Sequence, residues 1–418
     1  MGFFEGMLEQ ESSFLFCFLQ NVRNERLDSA SSADHMFKSK SRLGLKVWII
    51  KGPIQNQARY KMENQISKLD FAGHPIYVGI DVSKNSWKVS IQMEQFEHKT
   101  FTQPPDTETL KKYLYKNFPD AQYQCVYEAG YSGYWLYEQL KSYGIACKVV
   151  NPADVPTKGK EMVTKNDRVD ARKLARSLRS GEIEGIYIPT RQAQEDRGLV
   201  RMRQALVSKQ TRVKNQIKSF LYFYGIKIDD DIGESYWSKR FINWLESVRM
   251  EYGSGDAAFK VLMEELNHLR GMLLKVTRQI RELSRSERYR EDVINLRSIP
   301  GISTLTAMII LTELIDITRF KKADNLQSYI GIVPGEHSTG EDEVTTGITS
   351  RRNNTLRWVL VESAWTAVRK DPALAMAFNK LSSRMPKNKA IIRITRKLLN
   401  RIRYVLKNKK GYQTGIVG

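Results

Sequence analysis

Five short runs of β-forming residues between positions 76 and 150 most constrain how this chain can fold. They cover 76–82, 87–93, 99–103, 122–128 and 146–150, with helical stretches at 106–117 and 133–143. Three opening runs separated by turn signals predict antiparallel hairpins, and the later alternation of strand, helix and strand predicts parallel neighbours. The sequence therefore predicts an α/β first domain, a mixed sheet with helices on its faces that ends near Pro189.

Four carboxylates lie at the ends of these elements. Asp81 and Glu128 each end a strand-like run, and the carboxyl ends of strands are where α/β sheets place their chemistry. Asp167 and Asp170 are three residues apart at the start of a helical stretch, 167–178, so they share one face of that helix. If the strands are neighbours and the helix packs over their ends, the four carboxylates meet.

Such a cluster of hard oxygen ligands predicts a divalent metal site, with Mg²⁺ as the default and Mn²⁺ as an acceptable substitute. Phosphodiester cleavage is the commonest chemistry of such a site. Each acid taken singly has an ordinary structural role: Asp81 as a turn former, Glu128 as an ion-pair partner, Asp167 as a helix cap. Their combination, with basic residues around them, favours a site; these are Lys84, Lys165 and Arg168.

The charge of the chain predicts a polyanionic partner. Its net charge is +21 and its pI about 9.7, and Lys380 to Lys410 carry about a dozen Lys and Arg and no acid. A solvated basic face is the alternative, and net charge does not choose between DNA and RNA.

The cysteines and the hydropathy of the chain indicate the cellular compartment in which the protein works. Cys17, Cys125 and Cys147 are too scattered for a disulfide framework or a zinc site, which indicates a reducing, cytoplasmic setting. The apolar segment 13–19 is too short to span a membrane, so no membrane role is expected.

The residues that follow the sheet domain predict two long helices. Apolar residues at helical spacing predict long helices over 191–222 and about 257–283, which pair either as an antiparallel hairpin or as a coiled coil with another copy. We expect a homo-oligomer, a dimer or a tetramer. The first stripe comprises Leu199, Met202, Leu206, Val213, Ile217 and Leu221, and the second Leu262, Leu266, Leu269, Leu273 and Ile280.

These patterns divide the chain into five predicted segments. Residues 1–72 form a poorly ordered extension, and deleting 1–61 is expected to leave activity intact because Met62 is a plausible start. The sheet domain covers 73–190, the long helices 191–292, a mostly helical C-terminal domain 293–375, and a basic helical tail 376–418.

Two motifs distinguish the C-terminal domain. The segment 296–307 is similar to a helix-hairpin-helix, whose amides bind a nucleic-acid phosphate without reading sequence; a plain packing element is the alternative. The segment 333–352 predicts an irregular Gly/Ser/Thr-rich loop, in which the hydroxyl of Ser338 can act as a nucleophile. A serine in such a loop is more often a turn residue.

Four motifs occur in an order that resembles the insertion-sequence transposases of the IS110 family. They are Gly79-Ile80-Asp81-Val82-Ser83-Lys84, Tyr127-Glu128-Ala129-Gly130, the run from Lys165 to Ala171, and the stretch from Pro300-Gly301 to Ser338-Thr339-Gly340. The resemblance covers residues 76–370. It implies a RuvC-like (RNase H-like) DEDD domain, a coiled-coil connection and a C-terminal transposase domain.

The resemblance also implies residue roles and partners. Asp81, Glu128, Asp167 and Asp170 would be the metal-binding tetrad, and Ser338 would become covalently linked to DNA, with Thr339 as the competing nucleophile. A structured non-coding bridge RNA would pair with donor and target DNA. Two other functions stay open: a metal-dependent junction resolvase that hydrolyses with water, and a non-catalytic nucleic-acid-binding scaffold.

Overall fold

The structure is a computed structural model that describes residues 70–157, 159, 166–228, 237–339 and 342–414, with backbone alone at 336–339 and 342–346. The extension predicted for residues 1–72 lies outside the described residues except for its last three. Among the helices of these described ranges, none is both long and apolar enough to cross a membrane.

The first domain is built on a five-stranded mixed sheet, as predicted. Its strands stand in the order β3-β2-β1-β4-β5, with β1 antiparallel to β2 and parallel to β4. β2 pairs antiparallel with β3, and β4 pairs parallel with β5. The strands are β1 (Pro75–Val82), β2 (Trp87–Gln92), β3 (Glu97–Gln103), β4 (Gln122–Glu128) and β5 (Ala146–Val150).

Helices cover both faces of this sheet. On one face, α1 (Thr107–Asn117) and α2 (Trp135–Ser142) pack on alternate strand residues such as Ile76, Val78 and Ile80. On the other face, α3 (Asp167–Arg179) packs through Leu174 and Leu178 on Val126 and Val150. A strand buried on both faces explains the near-continuous apolar run of β1.

Two long helices form an antiparallel hairpin within the chain. These are α4 (Arg191–Phe223) and α6 (Gly253–Leu283), with α5 (Lys239–Ser247) between them. The Phe220 ring lies 5.5 Å from that of Phe259, and Arg203 Nε donates to Thr277 Oγ1 at 3.1 Å. Their apolar stripes therefore pack on each other, which is the first of the two predicted arrangements.

One position of the predicted stripe is wrong. Met202 is 52% exposed, whereas its neighbour Val200 is 4% exposed and packs in the core of the C-terminal domain. The buried face of α4 changes at this point because the N-terminal part of the helix meets a different partner from its C-terminal part.

The C-terminal domain surrounds the apolar helix α8 (Thr304–Leu314), in which every residue from Ala307 to Leu314 is buried. α7 (Glu287–Arg297) precedes it, and the turn between them has Gly301 at φ +91°. A Cβ on Gly301 would lie 2.5 Å from the Ser363 carbonyl oxygen, so this helix-hairpin-helix-like element packs tightly on α10 (Asn354–Lys370). The remaining helices are α9 (Ala323–Ile330), α11 (Pro372–Ser382) and α12 (Lys387–Asn408).

The basic C-terminal segment contributes to this core. α12 buries Ile394, Leu398 and Ile402 in the same cluster as α8 and α10. One of its arginines, Arg401, pairs with the buried carboxylate of Asp371 at 2.6 Å.

The predicted irregular loop at 333–352 is wrong, because most of it forms an antiparallel β-hairpin. β6 (Pro334–Thr339) pairs with β7 (Asp342–Ile348), and the register sets Pro334 opposite Ile348 and Ser338 opposite Glu343. The β-branched residues Val344, Thr345, Thr346 and Ile348 favour this extended backbone. Glycine, serine and threonine in the same segment gave the misleading turn signal.

Candidate active site

Asp81 and Glu128 lie side by side at one edge of the sheet. The parallel register of β1 and β4 runs to Ile80 opposite Tyr127, and the two acids are the next residue on each strand. Because the strands are parallel, both acids lie at the carboxyl ends. Each side chain is partly exposed.

A glycine brings the helix with the other two acids close to this edge. A Cβ on Gly79 would lie 2.2 Å from the Ala171 carbonyl oxygen and 2.4 Å from the Ala175 amide nitrogen. Gly79 and Asp81 share one face of β1, since they are two residues apart. Because Gly79 has no side chain, α3 packs directly on the strand that carries Asp81.

The start of α3 orients Asp167 and Asp170. Asn166 caps the helix, and its side-chain oxygen accepts a hydrogen bond from the Arg168 amide at 3.0 Å. Asp167 is therefore not the cap, and its side chain is exposed. Asp170 follows three residues later on the same face.

The electrostatics join the four acids into one cluster. Burial, followed by the charges of Asp167, Asp170 and Glu128, raises the pKa of Asp81 from 3.8 to about 6, and Lys173 opposes this rise. A carboxyl group responds in this way when like charges share its low-dielectric surroundings. Asp81 also lies within β1 and is paired in register with Lys88, so it is not a turn former.

Lys173 is one residue of the candidate site that no sequence pattern singled out. Its side chain is 9% exposed, and its Nζ lies 3.1 Å from Asp170 Oδ1 and 3.8 Å from Glu128 Oε1. Its spacing of three residues from Asp170 on a helix was the available signal. Of the basic residues expected around the site, Lys84 and Arg168 are exposed, and Lys165 lies outside the described residues.

The donor chemistry of this cluster fits a hard divalent cation, because four carboxylates of three elements lie at one sheet edge. In the part of the chain that the structure describes, no three His, Cys, Asp or Glu side chains stand close enough to chelate one ion without side-chain rotation. The partial exposure of Asp81, Glu128 and Asp170 leaves room for that rotation.

An aromatic side chain borders the same edge. The Tyr131 ring is 75% exposed, and its hydroxyl donates to the Val82 carbonyl oxygen at 3.3 Å. No sequence pattern singled out this residue. Its position one residue after Gly130, beyond the end of β4, placed it at the carboxyl edge.

Ser338 and Thr339 occupy the last two positions of β6, at the end of the hairpin away from its base. Their side chains lie outside the described part of the structure. The chain just beyond the hairpin contacts the first domain, since Arg351 donates two hydrogen bonds of 2.5 Å to Asp154. A groove of about 750 Å³ opens there, bordered by Asn151, Tyr329 and Arg352 among others.

Two family models match the chain. One, for the DEDD domain of IS110 elements and described as a transposase, matches residues 78–226. The other is described as the transposase IS116/IS110/IS902 family and matches residues 294–379. The first match contains the four acids, and the second contains the β6–β7 hairpin.

Curated relatives agree with these matches. The putative transposase y4qE of Sinorhizobium fredii is 33% identical over 240 residues, 57% of this chain and 57% of that protein. The transposase for insertion sequence element IS1533 of Leptospira borgpetersenii is 30% identical over 267 residues, 60% of this chain and 72% of that protein. The transposase for IS1111A of Coxiella burnetii is 28% identical over 294 residues, 68% and 78% of the two chains.

The match to y4qE thus spans little more than half of that protein, whereas the IS1533 transposase is matched over more than two thirds of its length. The two family models match the sheet domain with α4, and most of the C-terminal domain, in the same order along the chain. The chain belongs to the IS116/IS110/IS902 family of transposases.

Proposed function

We propose that this protein cleaves and exchanges DNA strands through a covalent phosphoserine intermediate formed by Ser338. The observation that carries the proposal is the placement of Asp81, Glu128, Asp167 and Asp170 at one sheet edge by the register of β1 and β4 and by the packing of α3 on Gly79. The raised pKa of Asp81 agrees with this placement. Groups with such perturbed pKa values concentrate at functional sites. Membership in a transposase family supports DNA as the substrate.

The four carboxylates would hold Mg²⁺ or Mn²⁺, which stabilises charge on the phosphoryl oxygens of a scissile phosphate. Ser338 Oγ attacks the phosphorus and loses its proton, and the bond to the 3′ oxygen breaks as that oxygen gains a proton. The phosphodiester energy is kept in the phosphoserine bond. Religation to a new 3′ hydroxyl therefore needs no nucleotide cofactor.

We further propose that a structured non-coding bridge RNA selects the DNA sites by base pairing. The excess of positive charge supports a nucleic-acid backbone as partner, since the chain carries 67 Lys and Arg against 46 Asp and Glu. Base pairing then supplies sequence choice that the protein does not need to read.

We propose that the active protein is a homo-oligomer in which the tetrad of one subunit acts with the Ser338 hairpin of another. Exposed aromatic rings at the end of α4 support self-association, because Tyr222 is 88% and Phe223 79% exposed. Replacing both by serine is expected to shift the sedimentation coefficient of the protein toward that of a monomer. An unchanged coefficient removes this surface from the interface.

Trapping the covalent adduct tests the main proposal. Full-length protein is incubated with labelled DNA carrying an element end, bridge RNA and Mg²⁺, then resolved by denaturing electrophoresis. We expect a labelled protein band that is absent from Ser338→Ala and Asp81→Asn, while both variants keep nucleic-acid binding. An adduct lost in Thr339→Ala but kept in Ser338→Ala moves the nucleophile to Thr339.

Cleavage without an adduct would contradict the phosphoserine mechanism. That outcome favours hydrolysis by water, as in a junction resolvase. Binding with neither cleavage nor adduct on any branched or bridged substrate favours a scaffold instead.

A further inference from the structure

Lys173 is a buried cation inside the acidic cluster. Its Nζ lies 3.1 Å from Asp170 Oδ1 and 3.8 Å from Glu128 Oε1, with 9% of the side chain exposed. A buried ammonium group is costly unless carboxylates compensate it, and removal of a partner leaves an uncompensated charge. The three groups therefore stabilise one another.

The position of the Lys173 ammonium group bears on how many metal ions the site can hold. In two-metal sites for phosphoryl transfer, the ions lie about 3.5–4 Å apart and share bridging carboxylates. Glu128 and Asp170 belong to different elements, β4 and α3, and Lys173 Nζ lies within ion-pair distance of both. A second divalent ion between these two carboxylates would be repelled by the positive charge of Lys173 at close range.

We propose that Lys173 takes the place of a second divalent cation, so that the tetrad holds one ion per chain. This inference rests on the proposed function and specifies its metal requirement. Asp81, Asp167 and the oxygen of Asp170 that does not pair with Lys173 then remain for the single ion. Lys173 is a positioning residue, which fixes Glu128 and Asp170 in the geometry that this ion needs.

The test is a calorimetric titration of the metal-free full-length protein with Mn²⁺. We expect one ion per chain for the native protein and for Lys173→Arg, and two for Lys173→Met. Without metal, Lys173→Met should melt about 3–6 °C lower than the native protein, because two carboxylates lose their counter-charge. Saturating Mn²⁺ should remove most of that difference. Lys112→Met, an exposed lysine of α1, is the matched control.

Two Mn²⁺ ions bound to the native protein would overturn the role of Lys173 and leave strand cleavage untouched. An unchanged stoichiometry in a folded Lys173→Met or Lys173→Gln protein overturns it as well. No Mn²⁺ binding at all by the native protein would overturn both this inference and the metal site of the proposed function.

Away from the acidic cluster, four arginines and no acid line a separate cleft. The cleft has a volume of about 440 Å³ and lies where α6, α7 and the first residue of α8 meet. Within the described ranges, none of the four guanidinium groups makes an ion pair or a side-chain hydrogen bond. The arginines are Arg281, Arg285, Arg290 and Arg297.

Like charges in one cleft are unfavourable unless an anion joins them. Guanidinium groups match the paired oxygens of a phosphate, and several of them can bind consecutive phosphates of one strand. The cleft also adjoins Thr304, at the positive end of the α8 dipole. The geometry points to a binding site for a phosphodiester backbone, which deepens the proposed function by locating one contact with nucleic acid.

Salt dependence of binding tests this cleft. Anisotropy with labelled duplex DNA, and separately with structured RNA, is measured for Arg285→Gln/Arg290→Gln. Each lost phosphate contact should reduce the slope of log affinity against log salt by about one. The control Lys275→Gln/Arg278→Gln removes two exposed charges of α6 that do not line the cleft.

If the salt slope of the double variant falls with DNA alone, the cleft binds DNA. If it falls with RNA alone, the cleft binds RNA. A slope equal to that of the control with both probes overturns the inference. An unchanged salt slope leaves the proposed function intact, because adduct formation by the native protein is measured independently.

Discussion

Arg201 and Glu313 form a bidentate ion pair that joins the long helix α4 to the apolar helix α8. Arg201 Nε donates to Glu313 Oε1 at 2.6 Å, and Arg201 Nη2 donates to Oε2 at 2.8 Å. The Glu313 side chain is 0% exposed, and Asn353, the cap of α10, donates to Oε2 at 2.9 Å. One buried carboxylate thus connects α4, α8 and the segment that follows the β6–β7 hairpin.

Removing Arg201 should destabilise the protein strongly. Arg201→Met leaves Glu313 buried with Asn353 alone, so we expect a loss of about 3 kcal/mol in the free energy of unfolding, measured by urea denaturation at pH 7. Adding Glu313→Met should restore much of the loss. Arg191→Met, whose partner Glu195 is 66% exposed, should change stability by less than about 0.5 kcal/mol. Similar losses for Arg191 and Arg201 would refute this account.

The same pair predicts a pH dependence. Burial alone would raise the pKa of Glu313, but hydrogen bonds from Arg201 and Asn353 outweigh it and lower the pKa below its usual value of 4.5. A carboxylate with a lowered pKa contributes stability above its unfolded pKa and loses it as pH falls through the folded value. Between pH 5 and 3, the native protein should therefore lose more stability than Arg201→Met/Glu313→Met. Parallel curves for the two proteins would contradict the assignment.

Gly79→Ala should disrupt the acidic cluster from within the sheet. The added methyl group would lie 2.2 Å from the Ala171 carbonyl oxygen, which forces α3 away from β1. We expect about 3 kcal/mol of destabilisation and weaker Mn²⁺ binding, measured by urea denaturation and by calorimetry. Gly130→Ala, two residues from Glu128 with no atom within 4 Å of the added carbon, is the control and should retain both properties.

Tyr131→Ala should weaken binding of DNA that has unpaired bases near the cleavage site. Stacking of a base on an exposed ring contributes about 1–3 kcal/mol, so affinity should fall by about 5- to 150-fold in an anisotropy titration. Tyr131→Phe should keep most of the affinity. Phe96→Ala, which removes an exposed ring at the opposite end of the sheet, should have no effect. If Tyr131→Phe binds as weakly as Tyr131→Ala, the hydroxyl bond to Val82 matters and stacking does not.

Mixing two inactive variants tests whether the site is shared between subunits. In a heterodimer of Asp81→Asn and Ser338→Ala, a shared site leaves one composite site intact, so adduct formation should recover to about a quarter of the native level after random mixing. If each subunit uses its own acids and its own serine, the mixture stays inactive. Asp81→Asn mixed with Glu128→Gln is inactive in either case and serves as the control.

The strands, and the positions of the acids at the ends of the strands and at the start of α3, were accessible from sequence because their signals are local. β4 and β5 have the predicted bounds, since short runs containing Val, Tyr and Cys are bounded there by Pro, Gly and Asn turn residues. The hairpin at 334–348 was missed because Gly, Ser and Thr also occur in loops. Lys173 was missed because lysine usually marks a solvated helix face.

Contacts between distant segments could not be derived in the same way. Arg201 and Glu313 are 112 residues apart, and nothing local in α4 predicts that its N-terminal half packs on α8. The one available hint was a single acid within the otherwise uncharged helix Thr304–Leu314. A charged residue in such a helix requires a partner, but the sequence does not name it.

The length of α4 sets a scale for the nucleic acid that this protein can engage. Its 33 residues extend for about 50 Å at 1.5 Å per residue. That is the rise of about fifteen base pairs of B-form duplex at 3.4 Å each. A duplex that lies along α4 and touches both of its ends must therefore be at least that long, so shorter duplexes would contact only one end of this helix.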